Sequence, residues 1–145
     1  MTIKLSAKTL PEIAAKAAIP GYDRSALTPG IVHFGVGNFH RAHQAVYLDA
    51  LLNKGLGQDW ALLGAGVLPS DKAMRDVLAG QDFLTTVVEQ SAGASAARVT
   101  GPMIDFLPVG DPLLTIIALT DPAIRIVSLT ITEGGYCIDP ATGVF

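Results

Sequence analysis

The sequence predicts an α/β fold with a mainly parallel sheet, flanking helices and one β-hairpin insertion. Three apolar runs bounded by turn residues, at 31–34, 60–67 and 124–131, are typical of strands buried on both faces of a parallel sheet. Segments with helical spacing lie between such runs, which is the pattern of strand-helix-strand units. With 145 residues, of which 50% are hydrophobic and 16% charged, the chain makes one globular domain at most.

We divide the chain before the first strand into an N-terminal helix and linker (1–29) and a single domain (30–145). Thr9-Leu10-Pro11-Glu12 has the spacing of a capping box with a proline early in the first turn. It predicts a helix over 9–18, which the following Pro-Gly pair ends.

The longest predicted helix covers 39–54, a stretch without proline or glycine. Its apolar residues recur at spacings of three and four: Phe39, Ala42, Val46 and Ala50. This spacing predicts a helix of about four turns. A second helix is predicted over 70–79, where Gly80 ends it.

The second half of the chain predicts a hairpin, a helix and a last strand. Strands over 83–89 and 98–106, the second bent at Gly101-Pro102, are joined by a loop of small residues at 91–97. Asp111-Pro112 has the chemistry of a helix start and predicts a helix through Leu119. Ligands of such sheets bind at the carboxyl ends of the strands, which here are the turns 35–40, 68–71 and 132–136.

The composition excludes several classes of protein. The 10 Lys and Arg against 13 Asp and Glu give a net charge of -3, so we expect no binding to nucleic acid. Charged residues interrupt each apolar stretch before the ~18 residues of a membrane span, and the first twenty residues lack the apolar core of a secretory signal. Cys137 is the one cysteine and has no internal partner, which favours a reducing, cytoplasmic location.

The high apolar fraction also fits a domain cut away from a covering partner, or self-association through exposed apolar surface.

The turn 35–40 predicts a dinucleotide site of the Rossmann type, because its glycines follow a strand and open a helix. Gly35 permits a tight turn, and Gly37 lets the backbone approach a pyrophosphate. The third glycine of the usual pattern is replaced by His40. A glycine-rich turn that binds nothing is the alternative.

Asp71 lies just after the second predicted strand, where a carboxylate can accept hydrogen bonds from a ribose diol and repel a 2′-phosphate. It follows Gly37 by 34 residues instead of the usual ~20, a difference that the long first helix can absorb. The alternative is that Asp71 only caps the next helix.

The histidines do not predict a metal site. His40 and His43 are three residues apart, but no third Cys, His or carboxylate stands at a zinc-ligand spacing. A neutral or cationic His40 beside a diphosphate, with Arg41 as a charge-assisted donor, is the functional interpretation. A solvated helix face is the alternative for both residues. His33, inside the first strand, is expected to be a packed core histidine.

The segments 31–44, 78–82 and 126–137 resemble the N-terminal region of the mannitol dehydrogenase family. These polyol-specific long-chain dehydrogenases include mannitol 2-dehydrogenase, arabinitol dehydrogenase and the fructuronate and tagaturonate reductases. The Phe-His-Arg-Ala-His sequence that starts at Phe39 carries most of the resemblance. The Glu-Gly-Gly-Tyr-Cys sequence that starts at Glu133 favours the mannitol or arabinitol enzymes over the reductases.

The resemblance implies a partial Rossmann-like domain that binds NAD, in an enzyme that interconverts a sugar alcohol and its ketose without a metal. The implied cofactor contacts are Gly35, Val36, Gly37, Asn38, Phe39, His40, Arg41, Asp71, Thr132 and Glu133. The family's catalytic lysine, asparagine and histidine belong to a later domain, and this chain has no lysine after Lys72. We therefore expect a missing C-terminal catalytic domain and an inactive chain, with Glu133 as its one acid or base near the substrate end. An inert nucleotide-binding or interaction module is the rival interpretation, and a methyl-donor site is a weaker one.

Overall fold

The computed structural model describes residues 2–131, 135, 137–139 and 141–144. The strands, in chain order, are β1 (Pro29–Phe34), β2 (Ala61–Ala65), β3 (Thr85–Ser91), β4 (Ala94–Thr100), β5 (Met103–Phe106) and β6 (Ile126–Leu129). The α-helices are α1 (Leu10–Ile13), α2 (Asn38–Ala42), α3 (Gln44–Leu52), α4 (Pro69–Ala79) and α5 (Pro112–Leu119).

Four strands form one parallel sheet in the order β5-β2-β1-β6. The chain runs outward from β1 through β2 to β5, and then returns to place β6 on the other side of β1. The strand order therefore reverses between β1 and β6, which is the position where open α/β sheets bind ligands. The predicted α/β fold with a parallel sheet is confirmed.

The hairpin is longer than predicted, and the strand predicted over 98–106 is two strands. β3 and β4 pair antiparallel down to Ser91 and Ala94, so only Ala92 and Gly93 form the turn. The small residues predicted as a loop are largely part of β4, because backbone pairing stabilises them where their side chains have little strand preference. Gly101-Pro102 separates β4 from β5, and β5 leaves the hairpin to join the main sheet.

The long helix predicted over 39–54 is interrupted at His43, whose φ of -122° and ψ of -79° separate α2 from α3. The N-terminal helix is also shorter than predicted. It consists of α1 and a preceding 3₁₀ turn, Ala7–Thr9. Beyond α1 the chain pairs with β4 instead: Ala18 donates its amide to Ala97 and accepts from Val99.

Polar contacts tie the segment before β1 to the sheet. The Arg24 guanidinium donates to the carbonyls of Gly101 and Met103 at 2.9 and 2.8 Å, and burial lowers its pKa. The Tyr22 hydroxyl donates to Asp49 on α3 at 2.6 Å. Burial, followed by this carboxylate, raises the pKa of Tyr22. The N-terminal segment thus closes the end of the sheet where β4 turns into β5.

The core lies between the sheet and the helices α3 and α4. Its main cluster consists of Ile31, Val36, Ala45, Leu62, Leu78, Met103 and Phe106. A smaller cluster at the other end of the strands contains Leu27, Leu52 and Ala61. In contrast, no side chain of α5 or β6, all of whose residues are described, is buried. No helix in the described part of the chain is long and apolar enough to cross a membrane.

Candidate functional site

The turn between β1 and α2 contains two glycines that differ in backbone conformation and in the space around them. Gly35 has φ of +84°, a left-handed conformation that favours glycine, and a Cβ there would lie 3.1 Å from the Thr130 carbonyl oxygen. Gly37 has an extended backbone, and its Cβ would meet nothing nearer than the Gly35 carbonyl at 3.9 Å. The fold therefore requires glycine at 35. At 37 the missing side chain leaves open space above the turn.

The first turn of α2 has free hydrogen-bond donors. Within the described part of the chain, the backbone amides of Asn38, Phe39 and His40 have no acceptor. Arg41 is a half-buried neighbour whose guanidinium donates to the Gly37 carbonyl at 3.2 Å and to the Asn38 side chain at 2.6 Å. Arg41 thus braces the turn, while three amides stay available for an anionic group.

His40 and His33 form a buried pair beneath the turn. Their rings stack with centroids 3.7 Å apart and an interplanar angle of 12°. His33 is a core histidine as predicted, 3% exposed, but His40 is 1% exposed, so the solvated-face alternative is wrong for it. Burial lowers the pKa of His40 to about 3, which keeps the ring neutral. His43, in contrast, is exposed beside Phe39.

Asp71 stands where predicted, after the end of β2 and within the first turn of α4. Its Oδ2 accepts hydrogen bonds from the amides of Val67 and Leu68 at 2.9 and 2.8 Å. A Cβ at Gly66 would overlap the Asp71 side chain, so the glycine is what admits the carboxylate. The helix-capping role is therefore present. The ribose role stays a prediction, and Oδ1 has no partner among the described residues.

A cleft of about 480 Å³ opens at the carboxyl ends of β1 and β2. Its walls are Phe34, Gly66, Val67, Gly110, Asp111, Pro112, Thr115 and Ile116. Asp111 begins α5 by accepting from the amides of Leu113 and Leu114, at 3.0 and 3.3 Å. Sequence reasoning missed this wall of α5. The helix itself was predicted, and the signal was its run of apolar residues, for which no predicted element provided a packing partner.

Two predicted contacts, Thr132 and Glu133, lie outside the described residues. Of the remaining predicted contacts, the structure brings Gly35, Val36, Gly37, Asn38, Phe39, His40 and Arg41 together in one turn and places Asp71 at the next strand end. The described residues contain no group of three or more His, Cys, Asp or Glu that could hold a metal ion.

The turn, the cleft and the reversal of strand order coincide at one edge of the sheet. The sequence of residues 29–143 matches the family model described as the mannitol dehydrogenase Rossmann domain. The chain belongs to the mannitol dehydrogenase family. Among its curated relatives is a mannitol 2-dehydrogenase of Cereibacter sphaeroides, 62% identical over 127 residues. That match covers 87% of this chain and 26% of the relative.

Two solved structures of the family superpose on the chain. The Pseudomonas fluorescens mannitol 2-dehydrogenase, in a ternary complex with NAD and D-mannitol, matches with a TM-score of 0.88 and 46% identity. A substrate-free D-sorbitol dehydrogenase matches with a TM-score of 0.81 and 42% identity. The matches cover 99% and 97% of this chain but 30% of each solved chain. The chain therefore corresponds to less than a third of these proteins.

Proposed function

We propose that this chain is the N-terminal NAD-binding part of a dehydrogenase that interconverts a sugar alcohol of the mannitol or arabinitol type and its ketose. The observation that carries the proposal is the turn 35–41. A left-handed Gly35, open space at Gly37 and three free amides stand together where the strand order reverses. The similarity to mannitol and sorbitol dehydrogenases favours a polyol over the sugar acids of the related reductases.

The residues present fit a dinucleotide. The amides of Asn38, Phe39 and His40 would hold its diphosphate, because free donors at a helix start favour an anion. The apolar cleft beside α5 would hold the adenosine end, and Asp71 would accept from its ribose. Bound NAD supplies the acceptor for the hydride of a secondary alcohol. Thr132 and Glu133 are proposed for the nicotinamide end.

Titration with NADH tests the proposed site. Gly37→Val places a side chain in the open space above the turn, while the extended backbone at this position tolerates it. We expect NADH affinity to fall by at least tenfold, about 1.4 kcal/mol, with an unchanged thermal midpoint. Gly37→Ala, with a smaller group, should lose less. Equal NADH affinity in wild type and Gly37→Val would contradict the proposal.

The catalytic group is proposed to lie in a part of the protein that this chain does not contain. Oxidation of an alcohol needs a base within hydrogen-bond reach of the hydroxyl proton. From the sequence we expect Glu133 to be the one acid or base near the substrate end, and carboxylates as a class, with ordinary pKa values of about 4, are poor bases for an alcohol. We expect no mannitol-dependent or arabinitol-dependent formation of NADH by the 145-residue chain. Turnover that Glu133→Gln abolishes would identify Glu133 as catalytic.

The proposed partners are the polyol or ketose and a C-terminal catalytic domain. The exposed apolar side chains of α5 and β6 support an interaction at this surface, since several of them are about half exposed. Self-association through the same surface is the second candidate, and it predicts a concentration-dependent mass in sedimentation experiments. The cytoplasmic location and the absence of nucleic-acid binding stay predictions.

A further inference from the structure

The helix that follows the proposed diphosphate turn is attached to the sheet in an unusual way. In α2, which is described along its whole length, His40 is the one buried residue, while Asn38, Phe39 and Ala42 are exposed. Val36, in the turn itself, joins the main core cluster. The helix thus rests on an imidazole instead of an aliphatic side chain.

The contacts continue from this imidazole to the edge of the sheet. His40 stacks on His33 of β1. The two ring nitrogens of His33 lie 2.8 Å from the Ser128 hydroxyl and 3.1 Å from the Thr130 hydroxyl. Ser128 belongs to β6, and Thr130 follows it. The two imidazoles therefore connect the end of β6 with α2, in addition to the direct approach of Thr130 to Gly35.

We propose that His33 and His40 are positioning residues that hold the turn 35–41 against β6 only while both rings are neutral. The proposal rests on the proposed function, because it assigns the pair an effect on cofactor affinity. Neither ring needs to touch the cofactor: His40 is 1% exposed, and its two nitrogens have no hydrogen-bond partner within the described part of the chain.

The surroundings explain the requirement for neutral rings. A proton on either ring would create a buried cation without a counterion, since the groups that act on His40 are His33 from β1 and Arg41 from α2. The side-chain partners of His33, Ser128 of β6 and Thr130 after it, are hydroxyls and carry no charge. A hydrogen bond with the Gly35 backbone favours the protonated ring of His33 but does not outweigh burial. Burial, then His33 and Arg41, lower the pKa of His40 to about 3, and burial lowers the pKa of His33.

The direction of the pH effect follows from these pKa values. A released His40 recovers the ordinary histidine pKa of about 6.5. The docked turn therefore keeps its full stability above that value and loses it as the pH falls from 6.5 toward 3. Between pH 7 and pH 5, one imidazole that titrates only in the released form raises the equilibrium constant for release about 25-fold.

Amide hydrogen exchange measures this release without any cofactor. The Arg41 amide, bonded to the Gly37 carbonyl, reports on the docked turn. After correction for intrinsic exchange, we expect its opening constant to rise about 25-fold from pH 7 to pH 5 in the wild type. His40→Phe keeps a flat ring that cannot be protonated and should reduce the rise to the share that His33 contributes. His43→Phe changes the exposed histidine next to α2 and should retain it.

NADH affinity at the same two pH values completes the test. We expect it to weaken at pH 5 by up to about 25-fold in the wild type and in His43→Phe, and to change much less in His40→Phe. An equal pH dependence in wild type and His40→Phe would overturn the positioning role and leave the proposed function intact. No NADH binding by the intact wild-type protein at pH 7 would overturn both.

A second variant tests the proposal even if His40→Phe folds poorly. Combined Ser128→Ala and Thr130→Val substitutions remove the hydroxyl partners of His33 and leave α2 unchanged. We expect the Arg41 amide to open several-fold more often already at pH 7. An opening constant of the Arg41 amide equal to that of the wild type would overturn the link between β6 and the turn.

Discussion

The two sides of the sheet differ in how their apolar residues are used. α4 is a polar helix that nevertheless buries Leu78 completely, whereas α5 is almost wholly apolar and leaves Ile116 and Ile117 more than half exposed. The α4 side packs a hydrophobic cluster against β1, β2 and β5. The α5 side faces no comparable layer among the described residues. Burial in this protein is therefore determined by what lies opposite a helix, and not by how apolar the helix is.

The largest expected effect compares one side chain from each side of the sheet. Phe106→Ala removes a ring that is 1% exposed and packed over Gly64, and it should lower the free energy of unfolding by about 3–5 kcal/mol. Ile117→Ala removes a side chain that is 55% exposed and should cost less than about 0.5 kcal/mol. Urea denaturation of both variants checks the difference.

The same two substitutions can be measured in a longer polypeptide that carries the remainder of the family's fold. If a later segment covers α5, Ile117→Ala should cost clearly more there than in the 145-residue chain. The cost of Phe106→Ala should stay the same in both. Equal costs of Ile117→Ala in both proteins would show that α5 stays exposed.

Two left-handed glycines give an intermediate effect. Gly35 and Gly110 have φ of +84° and +92°, so alanine at either position should cost about 1–2 kcal/mol of stability. Gly35→Ala should cost more, because its Cβ would also press on the Thr130 carbonyl, whereas Gly110 has open space around it. Thermal denaturation distinguishes them. A larger loss for Gly110→Ala would mean that the open side is the more tightly packed of the two.

The smallest expected effect concerns Asp71, in the first turn of α4. Asp71→Ala removes the acceptor of the Val67 and Leu68 amides and should cost about 1 kcal/mol. Asp71→Asn keeps an acceptor but loses the charge, so it should be nearly as stable as the wild type. Both variants should relax the preference for NADH over NADPH, since a carboxylate repels a 2′-phosphate. An unchanged ratio of the two affinities would leave Asp71 with the capping role alone.

Local patterns predicted much of this fold. The strand ends at Gly35 and the helix ends at Gly80 follow from turn chemistry within a few residues, and the structure has both. The geometry of the turn 35–41 was also predictable, because its glycines, its strand and its helix are contiguous in the chain. The role of Gly66 was not, since it depends on a side chain five residues later folding back over it.

Long-range pairing explains what the sequence did not predict. The Ala-rich stretch at 14–18 favours a helix by propensity, yet Ala18 pairs with β4. The break at His43 divides an uninterrupted helical pattern, and its neighbour His40 turns inward to stack on His33. The sequence does not indicate which of two histidines three residues apart, His40 or His43, will pack against a strand. The α5 wall of the cleft likewise depends on a crossover that joins distant parts of the chain.

The outer edge of β6 matters during protein synthesis. This strand pairs with β1 on one side, and its side chains Val127 and Leu129 are about half exposed or more. In relatives of which this region is 26% of the length, ribosomes working at roughly 5–20 residues per second need tens of seconds to finish the rest. During that interval an apolar strand edge is a template for pairing with other chains. Until synthesis of such a protein is complete, β6 therefore stays open to pairing with other chains.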